Sequence, residues 1–571
     1  MSIRSNERKE DEEEKINPLI EYFYLIGPES IKIEKLYNPL SKEISNIIPK
    51  ILSKFPPTER PLTSFKEEII ISHCFPNGYK IEEYDPGQKI FNFSLQNIFP
   101  QQGEIKIYFT GIKFYESLSK YSNVKPKKKS NIIIAGKKIE EFSGKFNNLI
   151  KRQSVLLQET PLLLMKKKEI NEKYYIPKVI CFSSTIPFPY EFSYLLNKLI
   201  KYVSEPSKEE NIDEKNDTNN NNIISKKIIL PIEKIIEKIV MEVPMPMRGI
   251  FHIKFQNNNE FFKNDEKELI IKQRMVNEYY FPTHIFQSIF IFNSIDIIEI
   301  YKSLLLEIPV LFFSSDIEKL TNIYESFMCL LFPLNYQCPN VSILPDINSA
   351  MIQNFESFFF GINQRWINEN EKKNYFERNY IQIINKAVLI CDLDNAKLDI
   401  YFKKLENEHI VYFKDLGLHI SNNQNNLSSK NINHENKFSY TKYSLPTHYI
   451  DKVKRKLDNF RNANKDMKLN EYNEIYNKQI GEDIFYYFLV SILIKYNNYL
   501  YNTEADIKKK CKDIFSKGKK ADITNLFNTQ KFFNECKSSE ISFYEAFFKT
   551  ELFADFIRRK YYNKKKIKLC F

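Results

Sequence analysis

Glycine is scarce in this chain, with 12 in 571 residues, and tryptophan occurs once. So few glycines argue against a fold built on glycine-rich phosphate loops. Neither G-x-x-x-x-G-K-S/T nor G-x-G-x-x-G occurs anywhere, which excludes a P-loop nucleotide hydrolase. The seven histidines (His73, His252, His284, His409, His419, His434 and His448) form no H-E-x-x-H pattern, so no zinc and no other cofactor is expected. The eight cysteines form no C-x-x-C pair and stand mostly among apolar residues, as buried free thiols do. Long apolar runs are missing too. The longest, such as IFYYFLVSILI at 484–494, falls well short of the roughly 20 residues that span a bilayer. The charged start MSIRSNERKEDEEEK reads as a tail with no secretory leader expected, and Cys570, followed by one residue, does not read as a prenylation box. The expectation is a cytoplasmic protein with reduced thiols.

What the chain has is core material. At 43% hydrophobic and 15% aromatic residues it can build large interiors, and its length predicts roughly three to four domains. The net charge of +12 is spread along the chain. Lysine, asparagine and isoleucine are enriched together, as in A/T-rich coding, so the charge is no argument for a nucleic-acid partner. Two basic clusters are denser: Lys127, Lys128 and Lys129, and the tail Arg558, Arg559, Lys560, Lys564, Lys565, Lys566 and Lys568. The tail suits either an anionic membrane surface or a solvated, frayed end.

Composition divides the chain into a charged, disordered tail (1–17), an α/β-looking region (18–203), an asparagine-rich linker (204–227), a second α/β region (228–403), a second linker (404–438) and a strongly helical region with the basic tail (439–571). In the first α/β region, 19–27, 69–79 and 105–115 read as strands, and 175–203 as a strand followed by an amphipathic helix; 122–130 and 151–168 read as exposed loops.

The most informative stretch is 294–346. Ile297, Ile300, Tyr301, Leu304 and Leu305 recur at helical spacing, and Pro309 stops that helix. Val310, Leu311, Phe312 and Phe313 form the continuous apolar run of a strand covered on both faces. Ser315 with Glu318 reads as a capping box opening the next helix, whose apolar face runs from Ile317 to Leu331. Helix, strand, helix with short joints predicts a mostly parallel sheet.

Several separated segments resemble a tripartite DENN module, with upstream, central and downstream parts in order. They are SHCFPNGY (72–79), YIPKVICFSSTIPF (175–188), IEKIIEKIVMEVPMPMRG (232–249), the helix–strand–helix of 295–332, SILP (342–345), FFFGI (358–362), AVLICDLDNAKL (387–398), LPTHY (445–449), the helix at 482–500 and TELFADFI (550–557). One departure is Phe355-Glu356-Ser357, where the family usually carries proline. The resemblance implies an α/β fold, with a longin-like N-terminal lobe, an α/β central DENN lobe and a helical C-terminal extension. It further implies a guanine-nucleotide exchange factor for a Rab-type small GTPase, cradled between two lobes, at trafficking membranes. An adaptor without exchange activity and a GTPase-activating protein are the alternatives. The latter needs an arginine finger, for which Arg60 and Arg152 are the nearest candidates.

An exchange factor needs no catalytic residues of its own. By fold analogy, GTPase contacts are expected where central strands end: Leu344, Pro345 and Asp346, then Gly361, Ile362 and Asn363, with Arg365 and Trp366 following. Asp392 and Asp394 end another strand, although D-L-D-N also makes a good turn. No G-x-S-x-G elbow surrounds Ser314 and Ser315, which the cap explains, and His73 reads as a packed polar residue in a strand.

Overall fold

The computed structural model describes residues 17–29, 48–99, 103–117, 174–204, 231–249, 251–255, 269–273, 289–346, 352, 355–364, 387–406, 409–413, 445–463, 479–494, 496–500 and 526–569. The proposed loops at 122–130 and 151–168 lie outside them. Two compact units divide the chain, Met1–Glu278 and Tyr279–Phe571, fewer than its length suggests.

The first unit is built on a five-stranded antiparallel sheet in the order β2-β1-β5-β4-β3: β1 (Tyr22–Gly27), β2 (Lys50–Phe55), β3 (Lys89–Phe99), β4 (Gly103–Ser117) and β5 (Tyr175–Ser184). Every residue of β1 is buried, so both faces of the sheet are covered. On one face Phe23, Leu25, Ile112, Ile180 and Phe182 meet helix α2 (Pro189–Ser204) and helix α3 (Ile232–Glu237). On the other, Tyr22, Tyr24, Phe91, Phe93 and Phe109 form a ring cluster.

Helix α1 (Glu67–Cys74) also belongs to this unit, and it corrects the strand predicted over 69–79. The three consecutive isoleucines suggest a strand, but burial falls on Ile70, His73 and Cys74, one helical face, and Ile69 is exposed. Glu67 and Glu68 suit the positive end of the helix, and the chain then turns through Gly78 at φ 76°. His73 is accordingly helical. It is buried, stacks on Phe93 with ring centroids 5.1 Å apart, and donates from Nδ1 to the Ile69 carbonyl at 2.8 Å.

A second correction concerns 232–272. The composition break places it with the central region, yet Ile232, Ile235, Ile236, Ile239, Val240, Leu269 and Ile271 are core residues of the first unit. A hairpin of β6 (His252–Phe255) and β7 (Leu269–Lys272) ends that unit.

The second unit carries a six-stranded sheet in the order β13-β12-β11-β8-β10-β9. Strands β8 (Val310–Phe313), β9 (Asn340–Val341), β10 (Phe359–Ile362) and β11 (Ala387–Asp392) are parallel, while β12 (Lys397–Glu406) and β13 (His409–Phe413) add antiparallel. Helix α4 (Ser294–Leu305) precedes β8 and α5 (Ile317–Leu330) follows it. Alternation along β8 sends Val310 and Phe312 into one core and Leu311 and Phe313 into another.

The larger core also receives α6 (Thr447–Ala463), α7 (Tyr487–Leu493), α8 (Thr529–Glu535), α9 (Ser538–Phe547) and α10 (Glu551–Leu569). The downstream helices therefore share one interior with the sheet. Glu307 fixes one corner of it. This non-glycine residue takes φ 53°, and its carboxylate accepts from the Glu551 and Leu552 amides at 3.0 and 2.7 Å, capping α10.

Candidate interaction site at the strand ends of the central sheet

Strands β8, β10 and β11 run parallel and end level, because Ile362 and Asp392 both pair with Phe313. The loops that follow them therefore emerge side by side, and Leu344 joins them by donating from its amide to the Gly361 carbonyl at 2.7 Å. Predicted residues from three separate segments thus meet at one edge of the sheet.

Burial then sorts them. Leu344, Pro345, Gly361, Ile362 and Asp392 are buried, so they shape the edge and present no side chain to a partner. Asp346 is exposed, and Asn363, Gln364 and Asp394 are half-buried. Arg365 and Trp366 lie outside the described residues. The aspartates are held by local bonds. Asp392 accepts from the amides of Asp394 and Asn395 at 3.1 and 3.2 Å and from the Asn395 side chain at 2.8 Å, the turn that D-L-D-N suggests. Gln364 donates to Asp346 at 2.7 Å, and Asn363 to the Ser314 carbonyl at 3.0 Å.

Asp394 reaches across to the loop after β8. It accepts from the Ser314 hydroxyl at 2.8 Å, the Ser315 amide at 2.9 Å and the Ser315 hydroxyl at 2.8 Å. Burial raises its pKa, but these donors and the Lys319 charge outweigh burial and hold the carboxyl below its ordinary value. Lys319 itself donates to the Leu393 carbonyl at 2.6 Å. The helix cap differs from the prediction for the same reason. Ser315 is spent on Asp394, and Asp316 caps α5, accepting from the Glu318 amide at 3.0 Å. The Ser-Ser-Asp run carried that signal, since Asp caps at least as well as Ser.

Replacing Asp394 by alanine leaves the buried Ser314 hydroxyl without its acceptor, and we expect a loss of about 2 kcal/mol in denaturant unfolding. Because the carboxyl is depressed, its stabilisation is present above the ordinary carboxylate value and is lost as pH falls through the folded one. Wild type and variant should therefore converge in strong acid.

Chemically, this edge offers hydrogen-bonding surface. Its serines face an ionised carboxylate without histidine, and among the described residues no three His, Cys, Asp or Glu side chains group as a metal site would require. The other predicted surfaces are engaged too. Arg60 is ion-paired with Glu21 at 3.0 Å and donates to its carbonyl at 2.8 Å; Arg152 lies outside the described residues.

On α10, Arg558 pairs with Glu551 at 2.9 Å and Arg559 with Asp555 at 2.7 Å, while Lys560 sits over Phe556. Lys564, Lys565, Lys566 and Lys568 continue that helix, where a frayed end was one expectation. Among the described residues no helix is long and apolar enough to cross a membrane.

Compared with known families, residues 175–411 match the model of the DENN (AEX-3) domain. The match opens on the first residue of β5 and closes within β13, and so takes in β8 to β12 whole and the start of β13. No curated protein matches the chain.

Proposed function

Because this chain is a DENN-domain protein, we propose that it acts as a guanine-nucleotide exchange factor for a Rab-type small GTPase. The domain match over 175–411 carries this reading, since DENN domains are generally associated with Rab exchange. On this reading the chain is a tripartite module. Its antiparallel first unit is the longin-like upstream lobe, 279–413 supply most of the central lobe, and the helices from 447 onward are the downstream part. The protein would work in the cytoplasm, peripherally on trafficking membranes. The GTPase would take both lobes, with Asp346, Asn363, Gln364 and Asp394 among the groups offered to it. Arg365, Trp366 and the basic end of α10 remain proposed contacts.

The physics of exchange needs only a shaped surface. A protein that binds the nucleotide-free GTPase more tightly than the loaded form must, by linkage, lower nucleotide affinity by the same factor. Coupling of about 1–3 kcal/mol corresponds to roughly 5- to 150-fold. A GTPase-activating role is disfavoured for Arg60, whose guanidinium is already ion-paired with Glu21. The test loads a panel of Rab GTPases with fluorescent GDP or with GTP and adds the full chain. Accelerated GDP release from at least one member is expected. Faster hydrolysis without release would favour the activating reading, and binding without either would leave an adaptor.

A further inference from the structure

The loops at the candidate edge come from distant parts of the chain, and one residue fastens them together. Ser314 follows β8 directly and is fully buried. Each of its polar atoms is engaged. Its amide donates to the Ile362 carbonyl at 3.2 Å, and its carbonyl accepts from the Asn363 side chain at 3.0 Å. Its hydroxyl donates to Asp394 at 2.8 Å and accepts from the Asp316 amide at 3.0 Å. The loop after β10, the turn after β11 and the cap of α5 are thus all tied to Ser314.

These links differ from the local bonds beside them. Asp392 is satisfied by Asp394 and Asn395, within its own turn. The bonds of Ser314 instead span 49 positions to Asn363 and 80 to Asp394. They form no turn, and what they fix is the spacing between loops. A buried polar network with every member satisfied is rigid, and side chains that meet a partner are held best when a supporting layer of hydrogen bonds locks them. Asn363 and Asp394 suit that role, since both bond the buried serine and both remain partly exposed. Ser315 offers a contrast. Its hydroxyl donates to the same carboxylate at the same 2.8 Å, but it is exposed and, among the described residues, has no bond to the loop after β10. We infer that Ser314 is a positioning residue for partner recognition, holding Asn363 and Asp394 at one fixed spacing so that the GTPase meets them as a single unit. This role rests on the reading of the edge as a GTPase contact, and it belongs to a residue that the partner never touches.

Double-mutant cycles on the full chain test it, read once in denaturant unfolding and once in binding to the nucleotide-free Rab whose GDP release the chain accelerates. In the wild-type background, Asn363→Ala with Asp394→Ala should lose less than the product of the two single losses, by about twofold or more in each reading. In a Ser314→Ala background the losses should simply multiply, while Ser315→Ala should leave the coupling in place. A merely structural role would couple the two positions in unfolding alone, so losses that multiply in Rab binding would overturn the inference. Coupling that survives Ser314→Ala, or none in unfolding, would overturn it equally. The wild-type cycle needs no change at Ser314 and stays decisive if that variant fails to fold. Coupling in unfolding with no Rab bound at all would remove the exchange reading, and the recognition role with it, and leave Ser314 a structural hub.

Discussion

Replacing Gly361 by alanine lowers the stability of the second unit by about 3 kcal/mol, the upper end of overpacking penalties. An added Cβ would stand 2.0 Å from the Ser342 carbonyl oxygen and 2.9 Å from its carbon, distances no pair of such atoms tolerates. The neighbour is backbone, so no side chain can swing aside. Relief requires β10 to move away from the 340–344 segment, which breaks the Leu344 amide bond to the Gly361 carbonyl and spreads the strand ends. The loss should appear in denaturant unfolding as a lower midpoint with little change in slope. It should also weaken GTPase binding, because this glycine sets the spacing of the proposed edge. A variant as stable as the wild type would mean that the strands are less closely apposed.

Mild acid should weaken the first unit through His73. Burial is the dominant cause and pushes the imidazole down to about 4, against a smaller opposing effect of the bond to the Ile69 carbonyl. The unfolded chain takes up a proton near 6.5 that the folded chain refuses until about 4. Stability is thus fully present above 6.5 and falls as pH drops toward 4, by about 3 kcal/mol at 1.36 kcal/mol per pH unit. Asp394 acts in the same direction but in the other unit and at lower pH, so the two windows separate. His73→Leu should flatten the pH dependence between 6.5 and 4 even if its stability at neutral pH is lower. An equally steep dependence in that variant would assign the acid sensitivity to other groups.

Both predictions concern residues whose surroundings were only partly legible in the sequence. Helix, strand, helix over 294–330 could be read directly, because helical spacing, Pro309 and the doubly covered Val310–Phe313 run all point to one arrangement. The 69–79 segment misled because three consecutive isoleucines fit strand and helix alike, and only tertiary burial chose between them. The linker at 204–227 marks a change in composition, not a division of the core. What joins Ile232, Ile235, Ile236, Ile239, Val240, Leu269 and Ile271 to the first unit is a core shared with α2 and the sheet, which sequence distance hides.

At the candidate edge, three segments 344–346, 361–363 and 392–394 were expected on strand ends, and the strand pairing gathers them. Their exposure was not legible. The Asp394 contacts with Ser314 and Ser315 join residues about 80 positions apart, and nothing local in either loop announces them.

The central claim is differential binding to two states of a GTPase, and titration measures it directly. The full chain is titrated with each member of the Rab panel, once nucleotide-free and once loaded with GDP. The account predicts one member bound at least about fivefold more tightly when nucleotide-free, matched by faster GDP release from that same member. Equal affinity for the two states across the panel would contradict it, since a protein without that preference cannot drive exchange.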